Sequence, residues 1–108
     1  MAVSRERWFT LSLAEQLGHI GSEVGRAAKW QGRDERSFWS AVGRALELFS
    51  LTQEDARWKK QRRELDRARE SFADAVLKGV EYKSTLPDLE RYFTPFALLA
   101  VRRSSGVQ

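Results

Sequence analysis

The fold is decided by the first long amphipathic stretch, residues 12–30, which read SLAEQLGHIGSEVGRAAKW. Ser12, followed three residues later by Glu15, forms a capping box, in which the two side chains satisfy backbone donors at the start of a helix. Five apolar residues recur at alternating spacings of four and three, which places them on one helix face. They are Leu13, Leu17, Ile20, Val24 and Ala27. We predict a helix from Ser12 to about Trp30, with Gly32 as its stop.

Residues 34–79 predict two further helices with the same spacing. The second begins near Asp34, a favoured N-cap residue, and ends between residues 51 and 55. The third begins at the capping signal of Thr52, or continues from the second after a kink, and ends at Gly79. The apolar face of the second comprises Phe38, Ala41, Val42, Ala45, Leu48, Phe49 and Thr52. That of the third comprises Trp58, Leu65, Ala68, Phe72 and Val76.

A fourth helix begins in residues 85–88, TLPD, which combine a cap, an early proline and an acidic first turn. Pro95 lies inside the helix and predicts a kink or a restart, because proline removes a backbone donor. The apolar face comprises Leu86, Leu89, Phe93, Phe96, Ala97 and Ala100. Helices of this length with short links pack as antiparallel neighbours. The predicted fold is therefore all-α, an antiparallel up-down four-helix bundle.

The length of 108 residues indicates one helical bundle domain over residues 1–108, with an N-terminal strap at 1–11 and a frayed tail at 104–108. The strap packs across the bundle or reaches a neighbouring subunit. The chain has no cysteine, which excludes disulfides, thiol nucleophiles and thiolate metal sites. No segment has the pattern of a secretory signal or the ~20 apolar residues of a membrane span. We expect a cytoplasmic protein with no membrane contact.

A second stripe of the first helix contains only small residues at heptad-like spacing. Its members are Ala14, Gly18, Gly21, Gly25 and Ala28. Each glycine inside a helix costs on the order of 1 kcal/mol relative to alanine, so a compensating contact is expected. We predict close helix packing along this stripe, either inside the bundle or between the subunits of a homo-oligomer. The alternative is that the glycines break the helix into two shorter pieces.

The third predicted helix contains a strongly basic stretch. Residues 57–69 hold seven basic and two acidic residues, a local charge of +5, whereas the whole chain carries +4. On a helical wheel, Lys59, Lys60, Arg63 and Arg67 form one exposed cationic strip that can follow a phosphate backbone. Arg102 and Arg103 would extend the strip if they lay beside it. The alternative is a solvated face of ordinary ion pairs at three- and four-residue spacings, such as Arg62 with Asp66.

The sequence gives little support for a catalytic or metal site. His19 is the only histidine, and the Arg-to-His motif of helical-bundle ribonucleases is absent before it. No Glu-x-x-His pair occurs, so we expect no di-iron site, no other metal and no cofactor. Only a pocket that gathers His19 with carboxylates would favour an enzyme. Four tryptophans, Trp8, Trp30, Trp39 and Trp58, seal the edges of the core or form an interface.

Three segments, WFTLSLAEQLGHIGSEV at 8–24, RALELF at 44–49 and LERYF at 89–93, resemble a family of small uncharacterised prokaryotic helical proteins. That resemblance brings no known activity. In architecture, length and basicity the chain is also similar to the four-helix bundle group of ribosomal intervening-sequence proteins and diversity-generating retroelement accessory proteins. This similarity implies a non-enzymatic homo-oligomer whose basic surface engages RNA, DNA or a nucleic-acid enzyme such as a reverse transcriptase.

The sequence thus favours a non-catalytic, homo-oligomeric helical bundle that binds nucleic acid or a nucleoprotein partner through the basic face of its third helix. The basic stretch and the small-residue stripe carry this hypothesis. The alternative is a protein-interaction or scaffold subunit with no nucleic-acid role, in which the tryptophans and the small-residue stripe serve assembly.

Overall fold

The computed structural model describes residues 4–78 and 85–104, and these residues form helices and connections without a strand. A short helix, α1 (Arg5–Trp8), precedes two long ones, α2 (Leu13–Trp30) and α3 (Glu35–Glu54). A 3₁₀ helix (Ala56–Gln61) then leads into α4 (Arg62–Val76), and α5 (Leu86–Ser104) follows. Helix α2 packs against both α3 and α5, while α4 packs against α3 and α5 from the other side. The all-α prediction is confirmed.

The helix starts are set by the predicted caps. The Ser12 backbone N–H donates to Oε1 of Glu15 at 2.8 Å, and the Glu15 backbone N–H donates to Oγ of Ser12 at 3.1 Å. The Asp34 carboxylate accepts from the Ser37 backbone N–H at 3.2 Å, as expected for an N-cap. At the start of α5, Oγ1 of Thr85 accepts from the backbone N–H of Asp88 at 3.2 Å. Local chemistry therefore determines where three of the long helices begin.

The apolar faces meet in one interior. Leu17, Val42 and Phe72 belong to the buried core, and Phe96 packs against it. Phe49 lies at the centre, because its ring is 5.8 Å from that of Phe72 and 6.0 Å from that of Phe93. One side chain of α3 thus contacts both α4 and α5, and burying such aromatic rings supplies a large part of the hydrophobic stabilisation.

Of the two predicted alternatives for the third helix, a start at the capping signal of Thr52 is wrong. Thr52 lies inside α3, where its buried hydroxyl accepts a hydrogen bond from the Trp8 indole at 3.1 Å. Asp55, with φ −71° and ψ 114°, ends α3, and its side chain caps the 3₁₀ helix. Trp58 departs from helical geometry at φ −104° and ψ 28°, so α4 begins only at Arg62. Lys59 and Lys60 therefore lie outside the α-helix on which the wheel placed them.

Two other helix features differ from expectation. Helix α5 continues through Pro95, so the predicted restart there is wrong. The proline removes the donor for the carbonyl of Arg91, but both residues are exposed and water can satisfy that carbonyl. Helix α4 ends at Val76, and Lys78 has a left-handed φ of 67°. Gly79, where the sequence predicted the end, lies outside the described residues, as does the connection at 80–84.

The predicted strap and tail are described in part. Residues 5–8 of the strap form α1, and Trp8 is buried in the core of the same chain. Phe9 and Leu11 pack partly buried against that core. Residues 1–3 of the strap and residues 105–108 of the tail lie outside the described part of the chain. Within the described residues, no helix combines the length and the apolar character that a membrane crossing requires.

The small-residue stripe of α2 lies against α5 of the same chain. A Cβ atom added at Gly21 would come within 2.5 Å of Cβ of Phe93, and one at Gly25 within 2.8 Å of Oε2 of Glu90. Gly18 and Gly21 also line a small cavity with Leu98 of α5. Of the two alanines, Ala14 is buried and Ala28 packs partly buried against the core. The glycines do not break α2, which is continuous over 18 residues.

We expect Gly21→Ala to destabilise the protein by about 1–2 kcal/mol, because the added methyl overlaps the rigid Cβ of Phe93 and outweighs the gain in helix propensity. Gly43→Ala is the matched control, since Gly43 is a mid-helix glycine with no atom within 4 Å of the added Cβ. We expect it to stabilise by about 0.5–1 kcal/mol. Urea unfolding measures both changes, and equal stabilisation by both alanines would contradict the close contact.

Candidate nucleic-acid interface

The four cations of the predicted strip are all exposed. Lys59 and Lys60 lie on the 3₁₀ helix, and Arg63 and Arg67 lie on α4. Among the described residues, no carboxylate lies within 4 Å of these four cationic groups. Four unpaired positive charges in a short segment repel one another, and an anionic ligand would relieve that repulsion.

The other cations of the basic stretch make contacts within the chain. Arg62 approaches Asp66 at 3.4 Å, as the spacing predicted. Arg69 donates to Oγ of Ser50 at 3.1 Å and to Oε1 of Gln53 at 2.7 Å, which ties α4 to α3. The stretch therefore divides into cations that hold the fold together and cations that remain available to a ligand.

Three cations of the strip line a groove between α4 and α5 with a volume of about 690 Å³. This volume is within the range of roughly 300–1,000 Å³ that small-molecule sites occupy. The lining residues are Lys60, Arg63, Glu64, Arg67, Ala68, Ser71, Thr85, Asp88, Leu89 and Tyr92. Lys59 is not among them, so the strip continues beyond the groove at its 3₁₀ end.

Two hydrogen-bonded carboxylates line the groove, Glu64 on α4 and Asp88 on α5. The Tyr92 hydroxyl donates to Oε2 of Glu64 at 2.7 Å, and Asp88 pairs with Arg91. Burial, followed by the hydrogen bond to Glu64, raises the pKa of Tyr92 to about 12. The phenol therefore stays protonated as a donor at neutral pH. Glu64 and Asp88 offset part of the positive charge of the groove, and the three cations that line it lie on the 3₁₀ helix and on α4.

A polar cluster holds the 3₁₀ helix against the rest of the molecule. Gln16, which is fully buried, donates to the carbonyl of Trp8 at 2.9 Å and to Oδ2 of Asp55 at 3.2 Å. Its Oε1 accepts from the Trp58 indole at 3.0 Å. Arg57 donates to both oxygens of Asp55, at 3.0 and 2.7 Å, and to the carbonyl of Leu11 at 2.8 Å.

This cluster positions the start of the cationic strip. Arg57 and Trp58 are fixed by contacts to α2, to the end of α3 and to the N-terminal segment, and Lys59 and Lys60 follow them directly. The Arg57 guanidinium also lies 4.4 Å from the centre of the Trp58 ring. Among the described residues, every buried side-chain nitrogen and oxygen has a hydrogen-bond partner. The segment is thus well determined although it is not α-helical.

The charges inside the cluster stabilise each other. The hydrogen bond from Arg57 lowers the pKa of Asp55, against the opposing effect of burial. The same bond raises the pKa of Arg57. The two groups therefore remain ionised as a pair at neutral pH, and Nε and Nη2 of Arg57 are already hydrogen-bonded within the chain.

The other candidate site residues predicted from the sequence do not contribute described side chains to the groove. The side chains of Arg102 and Arg103 are outside the part of the chain that the structure describes. His19 is exposed, its ring lies 5.7 Å from the Trp8 ring, and it does not line the groove. No group of three or more histidines and carboxylates in the described residues is arranged to hold a metal ion. Trp8 is buried, Trp30 and Trp58 are partly buried, and Trp39 is exposed.

The α5 side of the groove and the polar cluster were not predicted from the sequence. A partial signal existed for both. Leu89 and Tyr92 are three residues apart, which places an aromatic hydroxyl on the same side of α5 as a core leucine. Gln16 stands three residues after Leu13 and four before Ile20, at a core position of α2. A polar residue there requires buried hydrogen-bond partners.

We expect Asp55→Asn to lower the free energy of unfolding at pH 7 by about 1–2 kcal/mol, because the charge-assisted bonds from Arg57 are weakened. A carboxylate whose pKa is lowered by folding stabilises the folded state above its unfolded pKa of 3.8 and loses that contribution as the pH falls further. The difference between wild type and variant should therefore shrink below about pH 4. Urea unfolding at several pH values measures it, and a constant difference would refute the assignment.

Comparison with protein-family models, with curated proteins and with solved structures found no match for this chain. The two resemblances drawn from the sequence therefore stay predictions.

Proposed function

We propose that this chain is a non-catalytic helical domain that binds the phosphate backbone of a nucleic acid through Lys59, Lys60, Arg63 and Arg67. The proposal rests on the different contacts that the cations of the basic stretch make. These four cations are exposed and have no carboxylate partner among the described residues, while Arg57, Arg62 and Arg69 are held by contacts within the chain. An interaction of solvent-exposed cations with phosphates is sequence-independent and depends strongly on salt.

The proposed architecture is an antiparallel up-down four-helix bundle. It is supported by the pairwise packing, in which α2 and α4 each contact both α3 and α5. The link of four residues between α2 and α3 also favours antiparallel neighbours, since so short a connection cannot return to the other end of a helix. In such a bundle the groove between α4 and α5 is one of the four outer seams between neighbouring helices.

We expect that changing Lys59, Lys60, Arg63 and Arg67 together to Glu lowers the affinity for non-specific RNA and DNA at low salt by more than ten-fold. Each phosphate contact that is lost also removes the release of counterions from the nucleic acid. The slope of log affinity against log salt concentration should therefore decrease in magnitude by about 3 for a single strand. Fluorescence anisotropy over a salt series measures both quantities.

The control is a variant with the same change in charge elsewhere. Arg7, Lys29, Arg33 and Lys78 are exposed and, within the described residues, have no ion-pair partner. Their joint replacement by Glu should reduce the affinity much less, because these residues do not line the groove. If both variants lose affinity equally, only net charge matters and the strip is not the binding surface.

The second candidate function is assembly with another protein or with further copies of the chain. The small-residue stripe does not favour it, because Phe93 and Glu90 of the same chain occupy that surface. It is favoured instead by exposed apolar side chains, namely Trp39 at 51% and Leu98 at 61% exposure. Aromatic side chains such as tryptophan are enriched at protein interfaces relative to the rest of the surface.

We expect the chain to have a mass in solution that is a multiple of its 12.5 kDa, and Trp39→Gln with Leu98→Gln to shift it toward the monomer. The reason is that the polar side chains remove apolar area from the interface. Light scattering after size-exclusion chromatography measures the mass over a range of concentrations. A wild-type chain that stays monomeric throughout would contradict self-association.

A further inference from the structure

We propose that a pocket between α2 and α3 is a binding site for a phosphate dianion. The site is separate from the α4–α5 groove and shares no residue with it. Its volume is about 320 Å³, near the lower end of the range of small-molecule pockets. The lining residues of this arginine pocket are Arg26, Trp30, Arg36, Ser37, Ser40 and Arg44.

The arginine pocket is organised by one carboxylate that does not line it. The side chain of Glu23 is only 12% exposed, and its two oxygens accept from Nη1 of Arg26 at 2.9 Å and from Nε of Arg44 at 3.0 Å. Arg26 belongs to α2 and Arg44 to α3, so Glu23 fixes the distance between guanidinium groups of two helices. This arrangement restricts both side chains before a ligand arrives, which reduces the entropy lost on binding.

Most of the donors of these arginines remain unused. A guanidinium carries five N–H donors, and Arg26 and Arg44 each give one to Glu23 in the described contacts. Arg36 forms no hydrogen bond or ion pair with another described side chain. The hydroxyls of Ser37 and Ser40 add two further possible donors at the same pocket. Planar forks of N–H groups with hydroxyls beside them match the oxygens of a phosphate group.

The charge of the arginine pocket favours a dianion. Three guanidinium groups against the single carboxylate of Glu23 leave a formal charge of +2. No acidic residue lines the pocket, in contrast to the groove, which Glu64 and Asp88 line together with the cations. A phosphate monoester or inorganic phosphate carries about −1.5 to −2 at neutral pH, whereas a backbone phosphodiester carries −1. A terminal or free phosphate therefore fits this charge better than an internal backbone phosphate.

Inorganic phosphate is the first probe. We expect a saturable shift of the Trp30 indole N–H resonance when the full chain is titrated with sodium phosphate, and none with sodium chloride at equal ionic strength. Arg36→Gln should weaken the phosphate affinity about five-fold or more, because a charged donor is lost without disturbing the pair that Glu23 makes. Arg33→Gln is the matched control, an exposed neighbour outside the pocket, and it should change the affinity less than two-fold.

A second arm identifies the source of the phosphate. If the site takes the end of a nucleic acid, a 5′-phosphorylated oligonucleotide should bind more tightly than the same oligonucleotide with a 5′-hydroxyl, and Arg36→Gln should abolish that difference. If it takes a small phosphate compound, the two oligonucleotides should bind equally while inorganic phosphate still shifts Trp30. Identical shifts in phosphate and chloride, or equal phosphate affinity of Arg36→Gln and wild type, would overturn the proposal. Neither result bears on the cationic strip, which the charge-reversal variants test separately.

Discussion

The close approach of α2 and α5 is the constraint on which the rest of the structure depends. Gly21 has no side chain, and the space where its Cβ would lie is taken by Phe93. That approach brings the Phe93 ring within 6.0 Å of Phe49, which in turn meets Phe72 of α4. Because protein interiors are close-packed, a shift of α5 away from α2 would disturb the packing of all three aromatic rings and not only the contact at Gly21.

The same constraint shapes the groove. Helix α5 is held by its extensive contact with α2, whereas α4 turns its apolar side, with Leu65 and Phe72, toward the core. The edges of α4 and α5 that line the groove include the small side chains of Ala68, Ser71 and Thr85, which leave space between the two helices. A groove therefore remains between them, with Arg63 and Arg67 on one wall and Tyr92 on the other. The groove beside the cations of α4 therefore results from the way in which α2 holds α5 from the opposite side.

The helices were predicted well because helix caps and amphipathic spacing depend on residues that are close to each other in sequence. The residues of the predicted apolar faces from Leu17 to Ala27 and from Phe38 to Phe49 are buried, and the caps at Ser12, Asp34 and Thr85 form as the spacing indicated. A kink after the second helix was one of two alternatives, but the 3₁₀ helix at Ala56–Gln61 could not be predicted in this way. It depends on Gln16 reaching residues 39 and 42 positions away, Asp55 and Trp58, and no window of neighbouring residues contains that information.

For the same reason, the sequence predicted the cationic strip but not the groove beside it. The cations are close in sequence, whereas Tyr92 meets Glu64 across 28 residues.

The two proposed anion sites differ in where their carboxylates lie, and this difference governs what each can bind. In the groove, Glu64 lies on α4 beside the cations and Asp88 lies on α5, so an anion that entered deeply would meet negative charge. Contact with the outer cationic edge, repeated along Lys59, Lys60, Arg63 and Arg67, suits an extended chain of single charges. In the arginine pocket, Glu23 lies behind the guanidinium groups and orients them. A compact dianion can therefore approach three arginines without facing a carboxylate, and charge and shape together separate the two ligands.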